Sequence, residues 1–488
     1  MLLLRPLELP EIVARIGHFL PLWVQELSKE THRLETVLRP KTFHACLLVS
    51  KLWRQTLLPI FWTLYDAEGM SHVPNDILKR YSHHFRNFYM QQGQVVSNYG
   101  CTLLTNATLN PSTVDMEEMR LLLRTNRGLK SLEWNGPDSS ELLAIDEFAQ
   151  LRQLESLSLS QWDISEGRLG LALAPLAGSL KRLDLGWFMS VTEDGDNDLG
   201  DCPMLPHVGT LRATALPHGV DPSGIALLCP NLSRIDLTLH RCDIDADSKD
   251  GIISKRLADS LRIHCPKLSA LALRGSIAQI HKDTLIRNCI AAGRGLTELV
   301  VVLSSVDKDT LDFITPHAST LETLGILNVT DEDASKENLF RMPVVCPRLK
   351  WFSVAAWSCW EVKGHDVVQA LKVSTWRCRE LEILDVDIQE LDPDSDEETL
   401  AGNDSISLDR LFKDGPIQGW YYHSENCALQ DDESERFSMS EVVVRALFEA
   451  VKGLDRLRLL RWSGAIFTRS SNRASADFDG MPFIYFDY

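Results

Sequence analysis

Three acidic stretches of the sequence have the residue types and spacing of calcium ligands. They begin at Asp194, Asp243 and Asp392, and each places aspartates at alternate positions. A calcium loop of the EF-hand type needs glycine at its sixth position and a bidentate glutamate at its twelfth. The residues found at those two positions are Leu199 and Leu205, Ser248 and Ser254, and Glu397 and Asn403. We therefore interpret the stretches as solvated acidic loops and expect no calcium site.

Cysteine and histidine also occur close together, as His240 with Cys242 and His264 with Cys265. A zinc site needs closely spaced ligand pairs whose geometry is held by a short turn. The cysteines instead belong to a recurring Cys-Pro-x-Leu segment, which begins at Cys202, Cys229, Cys265 and Cys346. The proline stops the preceding helix, and the small cysteine fills space beside it. We interpret these cysteines as core residues and expect neither a metal nor another cofactor.

Catalytic motifs are missing from the sequence, which contains no phosphate-binding loop, nucleophile elbow or metalloprotease helix motif. The net charge of -18 argues against nucleic acid or an anionic membrane as partner, because an acidic surface repels phosphates. Eleven cysteines without a Cys-x-x-Cys pair suit a reducing compartment. No apolar run suits a signal peptide or a membrane span. We expect a non-enzymatic intracellular protein of the cytoplasm, the nucleus or both.

The strongest pattern is a repeat of the form L-x-x-L-x-L. Its strong and weaker copies begin at Leu104, Leu129, Leu154, Leu180, Val208, Leu232, Leu268, Leu296, Leu321, Leu349, Leu381 and Leu454. Most intervals are close to the period of roughly 20 to 29 residues that is typical of leucine-rich repeats. Apolar residues two apart lie on one face of a strand, and helical patterns occur between copies, as from Met116, Ile253 and Val442. The sequence therefore predicts an α/β horseshoe, a solenoid with one strand and one helix per repeat.

Two apolar motifs precede the repeats. LPEI from Leu9 begins a stretch whose apolar residues we expect on one face of a helix; they are Val13, Ile16, Phe19 and Leu20. VSKLW from Val49 is followed by Trp62. These motifs resemble the F-box, and together with the Cys-Pro-x-Leu repeats they make the chain similar to F-box/leucine-rich-repeat proteins of the fungal type, whose repeats are irregular.

This resemblance implies that residues 1–65 form a small helical F-box-like domain that binds a Skp-type adaptor and, through it, a cullin. The positions that match the adaptor-binding motif are Leu9, Pro10, Ile12, Ile16, Leu48, Val49 and Trp53. Trp62 is expected to pack the domain against itself and the first repeat. The implied function is that of a ubiquitin ligase adaptor, which recognises a protein substrate for ubiquitin-dependent degradation. Two alternatives remain open, namely a helical cap on the solenoid and an interaction scaffold without a ligase.

The remaining domain boundaries follow from the repeats. Residues 66–103 are interpreted as a connecting segment or first cap repeat, and residues 104–470 as the solenoid, with an acidic insertion at 389–438 and a C-terminal tail at 471–488. Residues 21–42 are longer than the usual link of the F-box family, and we expect a lengthened helix or a loop there.

The repeat also predicts a substrate-binding surface. Residues at its third, fifth and seventh positions alternate with the buried leucines, so we expect them on the concave face. The residues proposed to bind substrate are Arg182, Asp184, Arg212, Asp236, Val300, Val302, Leu327, Trp351 and Ala355. The later ones form an apolar strip, and apolar patches exposed to water usually mark binding surfaces. The alternative is that the C-terminal segment from Asp477 covers this strip.

Overall fold

The structure is a computed structural model, in which the chain divides into two compact units. The first comprises Met1–Val220 with Leu228–Pro230, and the second comprises Asp221–Leu227 with Asn231–Tyr488. The described residues are 9–20, 23–27, 34–38, 41–67, 69–90, 100–110, 116–135, 145–160, 168–186, 203–214, 223–238, 250–274, 279–303, 306–327, 332–355, 361–362, 369, 371, 376–387, 389–390, 420–424, 441–462 and 465–469. The aspartates of the three acidic stretches and the C-terminal tail lie outside these residues.

The first unit begins with the helices α1 (Pro10–Phe19), α2 (Lys41–Leu47) and α3 (Lys51–Phe61). Pro10 lies in the first turn of α1, where a missing N–H breaks no helical hydrogen bond. Ser50 caps α3, because its Oγ accepts a hydrogen bond from the Trp53 N–H at 3.2 Å. A shared core holds the helices together; it consists of Val13, Phe43, Leu47 and Leu57, each at most 8% exposed.

The segment between α1 and α2 contains two antiparallel strands, β1 (Trp23–Leu27) and β2 (Leu34–Leu38). The expectation of a lengthened helix or a loop in residues 21–42 is therefore wrong for these residues. The physical reason is local, because each strand contains residues of high β propensity, such as Val24 and Val37. Val24 is paired directly with Val37 in the register.

The rest of the first unit is a parallel sheet with helices between its strands. The strands follow chain order and are β3 (Leu64–Asp66), β4 (Asn87–Tyr89), β5 (Asn106–Leu109), β6 (Ser131–Asn135), β7 (Ser156–Ser160), β8 (Arg182–Leu185) and β9 (Thr210–Thr214). The helices are α4 (Asn75–Tyr81), α5 (Met116–Thr125), α6 (Ile145–Phe148) and α7 (Arg168–Leu173). The sheet begins at Leu64, so the segment 66–103 contributes the strand β4.

The second unit repeats this architecture. Its parallel strands are β10 (Arg234–Thr238), β11 (Ala270–Arg274), β12 (Glu298–Val302), β13 (Thr323–Leu327), β14 (Trp351–Ala355), β16 (Ile383–Asp387) and β19 (Leu459–Trp462). Antiparallel pairing joins β19 to β20 (Ala465–Arg469) and β20 to β18 (Trp420–Ser424), and a separate parallel pair consists of β15 (Glu361–Val362) and β17 (Gln389–Glu390). The remaining helices of the chain are α8 (Ser223–Leu228), α9 (Asp250–His264), α10 (Gln279–Ala292), α11 (Lys308–Ile314), α12 (Glu332–Val345) and α13 (Glu441–Val451).

The register explains why the repeat buries its leucines. Leu132, Leu157 and Leu183 occupy the same repeat position, and they are direct partners on β6, β7 and β8. All three are at most 2% exposed. A fully buried leucine contributes about 2 kcal/mol of hydrophobic stabilisation, so stacking equivalent positions stabilises each strand through its neighbours. The prediction of an α/β repeat architecture, with parallel strands at the repeat spacing and helices between them, is confirmed.

Two buried polar side chains tie successive repeats together. Asn126 accepts a hydrogen bond from the Leu104 N–H at 2.9 Å and donates to the Cys101 and Leu122 carbonyls at 2.8 and 2.7 Å. His317 has a comparable role in the second unit, where its Nδ1 accepts from the Leu296 N–H at 3.2 Å. Each side chain thus satisfies the N–H of the first leucine of the preceding repeat, which would otherwise be buried without a partner.

Candidate functional site

Helix α1 has two apolar faces. Val13 and Gly17 are buried against α3, and a Cβ on Gly17 would lie 2.5 Å from Leu57 Cδ2. Phe19, by contrast, is 79% exposed. The prediction that Val13 and Phe19 lie on one helical face is therefore wrong. The reason is helical geometry, because six residues rotate a side chain by about 240° from its starting direction.

The second face of α1 is a stripe formed by Ile12, Ile16 and Phe19, which we call the α1 stripe. Its members are spaced four and three residues apart, so they lie in one row along the helix. Ile12 is 36% exposed, Ile16 is half-buried and Phe19 is mostly exposed. Leu48 and Val49, directly after α2, are 63% and 61% exposed. The small helical unit therefore leaves large apolar side chains in contact with water, which is typical of an interaction surface.

The other predicted adaptor-binding residues divide between surface and interior. Pro10 is exposed, and Leu9 is half-buried. Trp53 is half-buried and packs against the core of the helical unit, so it supports that unit from within. Sequence reasoning omitted Phe19 from the adaptor-binding set, although its position seven residues after Ile12 places both side chains in the same helical row.

Trp62 joins the helical unit to the residues that follow it, as predicted. Its indole stacks on the Tyr81 ring with centroids 4.9 Å apart and an interplanar angle of 7°. It also contacts Phe61 edge-on at 5.2 Å and Phe85 at 6.2 Å. Such aromatic contacts add about 0.5 to 1.5 kcal/mol each beyond the burial of area, so this cluster anchors α3 to the start of the repeat sheet.

The sheet of the first unit has one polar face that is open to solvent. The strands β6 and β7 alternate buried and half-exposed residues along their whole length. We call the outer side the first-unit polar face, and its members include Tyr89, Thr108, Glu133, Asn135, Ser160, Arg182, Asp184 and Arg212. Among the predicted substrate-binding residues, Arg182 is exposed, and the side chains of Arg212 and Asp184 are 49% and 18% exposed. These three are accessible to a partner.

The corresponding residues of the second unit are buried. Ala272, Val300, Val302 and Leu327 form a cluster, which we call the second-unit apolar strip, and each is at most 6% exposed. The expectation that Val300, Val302 and Leu327 stand open to solvent is therefore not met, and these side chains are poorly accessible to a partner. The segment from Asp477, which was the alternative cover, lies outside the described residues. Trp351 is half-buried, and the side chain of Ala355 is not described.

Ion pairs cross the strands on the same side of the second unit. Arg234 donates two hydrogen bonds to the Glu298 carboxylate, one of them from Nη2 to Oε1 at 2.7 Å. Because β11 lies between their strands, this pair spans three strands. Asp236 is 8% exposed and lies 3.3 Å from the Arg274 guanidinium. The predicted residue Asp236 is thus held by a neighbouring strand and is poorly accessible to a partner.

The described cysteines have the environment of core residues, which confirms that part of the sequence interpretation. Cys229, Cys265 and Cys346 are at most 2% exposed. Burial raises the pKa of the Cys265 thiol to about 11 and that of Cys346 to about 12. A thiol that stays protonated at neutral pH is a poor nucleophile and a poor metal ligand. Within the described residues, no group of three or more histidine, cysteine or acidic side chains could hold a metal ion.

Comparisons with known proteins show no family for this chain. No protein-family model matches the sequence, and no curated protein matches it. Among solved structures, the chain is similar to the leucine-rich repeat-containing protein LegL7 from Legionella pneumophila, with 14% sequence identity and a TM-score of 0.34. The match covers 55% of this chain and 89% of that chain. Within the described part of the chain, no helix is long and apolar enough to cross a membrane.

Proposed function

We propose that this chain is the substrate-recognition adaptor of a ubiquitin ligase of the Skp/cullin/F-box type. The observation that carries the proposal is the exposure of apolar residues in the N-terminal helical unit. Ile12, Leu48 and Val49 are at positions that match the F-box motif, and each is at least 36% exposed. Phe19 extends the same surface.

The physical basis is the cost of leaving these side chains in water. Burying apolar area contributes about 25 cal/mol per Å², so a partner that covers several of these residues gains a substantial part of its binding free energy from them. Their neighbours Val13 and Leu57 already fill the core of the helical unit. The exposed residues are therefore available to a Skp-type adaptor without loss of that core.

The repeats would then hold a protein substrate, while the adaptor connects the chain to a cullin. Ubiquitin transfer would take place on partner subunits, so this chain needs no catalytic residue for that role. The second candidate function is an interaction scaffold with no ligase attached. The same repeat sheets favour this scaffold function. In the scaffold, the helical unit binds no adaptor and serves only as a cap on the end of the repeats.

The test is co-purification of the full chain with a Skp-type adaptor and a cullin from cells. The variant Pro10→Ala with Ile12→Ala removes two predicted contacts. Truncation of an interface anchor costs on the order of 2 kcal/mol, so adaptor recovery is expected to fall at least about tenfold. Ile263→Ala with Pro266→Ala is the matched control, because both of these residues are exposed on the second unit.

The control variant is expected to retain the adaptor at the wild-type level. Both variants should keep the circular dichroism of the repeats, because stability in repeat proteins is approximately a sum of local terms. Full adaptor binding by the Pro10→Ala, Ile12→Ala variant would refute the assignment. Unfolding of the whole chain in that variant would instead favour the role of a structural cap.

A further inference from the structure

The first-unit polar face carries a fixed negative charge on β6. Thr108 Oγ1 donates a hydrogen bond to Glu133 Oε2 at 3.1 Å, and Asn135 Nδ2 donates to Glu133 Oε1 at 2.8 Å. Ser160 Oγ donates in turn to Asn135 Oδ1 at 2.9 Å. These donors are neutral, so they orient the carboxylate without cancelling its charge. A preorganised, half-exposed carboxylate of this kind suits a cationic side chain of a partner.

The same face carries positive charge on β8 and β9. Arg182 is exposed at the start of β8, and the Arg212 side chain is 49% exposed on β9. Asp184 is the acidic neighbour of Arg212, with 3.9 Å between Oδ2 and Nη1. Two guanidinium groups beside one carboxylate leave a net positive charge, and arginine binds carboxylates well because its donors form a planar fork. This end of the face therefore suits an anionic side chain.

The spacing of the strands sets the distance between the two charges. Glu133 and Arg212 occupy the same repeat position, and β6 and β9 are separated by three strand intervals. Neighbouring strands are about 4.8 Å apart, so the charges are about 14 Å apart across the sheet. An extended peptide rises about 3.3 Å per residue, and four residues span that distance. Tyr89 lies in the same row on β4, which is two strands from β6 in the direction away from β9, and it is 44% exposed.

We propose that the first-unit polar face binds an extended segment of a protein substrate that carries a lysine or arginine over Glu133 and an aspartate or glutamate, about four residues away, over Arg182 and Arg212. This inference rests on the proposed function, because it assigns the substrate of the proposed ligase to one surface. It also moves recognition from the buried second-unit apolar strip to the accessible face.

The experiment selects peptides from a random display library on the full-length chain. Wild-type protein is expected to enrich peptides with a basic and an acidic residue about four positions apart. Glu133→Lys is expected to select an acidic residue in place of the basic one. Glu133→Gln, which removes the charge with little change of shape, should abolish the preference at that position. Arg182→Glu with Arg212→Glu should weaken binding of the wild-type peptides at least about tenfold.

Arg152→Glu is the control, because Arg152 is exposed in a turn ahead of β7 and makes the same change of charge. It should leave the selected peptides unchanged. The inference is overturned if no peptide is enriched, if the enriched peptides lack the charge pair, or if the Glu133 and Arg212 variants select the wild-type peptides. A requirement for phosphate in place of the carboxylate would also overturn it. Adaptor co-purification of the same variants separates the two proposals, since it reports on the helical unit alone.

Discussion

Gly17 is the residue on which the packing of α1 depends most closely. An added Cβ there would lie 2.5 Å from Leu57 Cδ2 and 3.0 Å from Ile60 Cδ1. The Leu57 side chain is fully buried in the core of the helical unit, so it has little room to move away. We predict that Gly17→Ala pushes α1 from α3, and thereby displaces the α1 stripe from the rest of the exposed apolar surface.

The net effect follows from two opposing contributions. Overpacking a well-filled core costs typically 1–3 kcal/mol. Alanine in place of glycine in a helix interior returns about 0.5–1 kcal/mol, because the unfolded chain loses conformational freedom. We therefore expect the helical unit to be destabilised by about 1 kcal/mol. Leu57→Val in the Gly17→Ala background should relieve part of the clash, so the two substitutions are expected to be non-additive in a double-mutant cycle.

The assay must report on the helical unit by itself. Hydrogen exchange of the α1 and α3 amides in the full-length chain is suitable, because local opening can be followed residue by residue. Gly17→Ala should speed exchange in these helices and leave the amides of β12 and β13 unchanged. Gly128→Ala is the control, since a Cβ there meets nothing within 4 Å. Wild-type exchange rates in α1 of the Gly17→Ala variant would refute the account of its packing.

Three further outcomes are expected. Asn126→Ala removes three buried hydrogen bonds and should lower the free energy of unfolding of the first unit by about 2–4 kcal/mol in urea titrations; a smaller loss would mean that water replaces the amide. Burial lowers the pKa of His317 from its ordinary value of 6.5. The unfolded chain therefore binds the proton more readily than the folded chain. The stabilisation from neutral His317 is fully present above pH 6.5 and is lost as the pH drops towards the lowered pKa. His317→Asn should flatten this dependence, and an unchanged pH profile would contradict the assignment. Calcium at millimolar concentration should leave the melting temperature unchanged, and a shift with calcium but not magnesium would reveal a site in the acidic stretches.

The sequence by itself determined the repeat architecture. Residues at equivalent positions of L-x-x-L-x-L, such as Leu132 and Leu157, became direct partners in a parallel sheet, because a slip of one residue would turn the buried leucines to the other face. The cap at Ser50 and the helix that begins at Pro10 were likewise local properties of the chain. Such features depend on neighbours in sequence, so a pattern of residue types is sufficient to predict them.

Tertiary structure decided which apolar side chains remain exposed. On α1, both Val13 and Phe19 suit a buried face, and only the approach of α3 to Gly17 selects the face that contains Val13. The pairing of β1 with β2 also depends on tertiary contact. A segment of this composition forms a strand only when a second strand is available to hydrogen-bond with it.

The second-unit apolar strip shows the same limit most clearly. Alternation places Val300 and Val302 on the outer side of β12, yet both are almost fully buried. The run of apolar residues on both sides of this strand is a signal of burial on two faces, which is typical of parallel strands covered on both sides. A one-face interpretation of the repeat missed it. Such a run signals that the outer side is buried, but only tertiary structure chooses the side chains that pack there, because they come from the neighbouring strands β11 and β13.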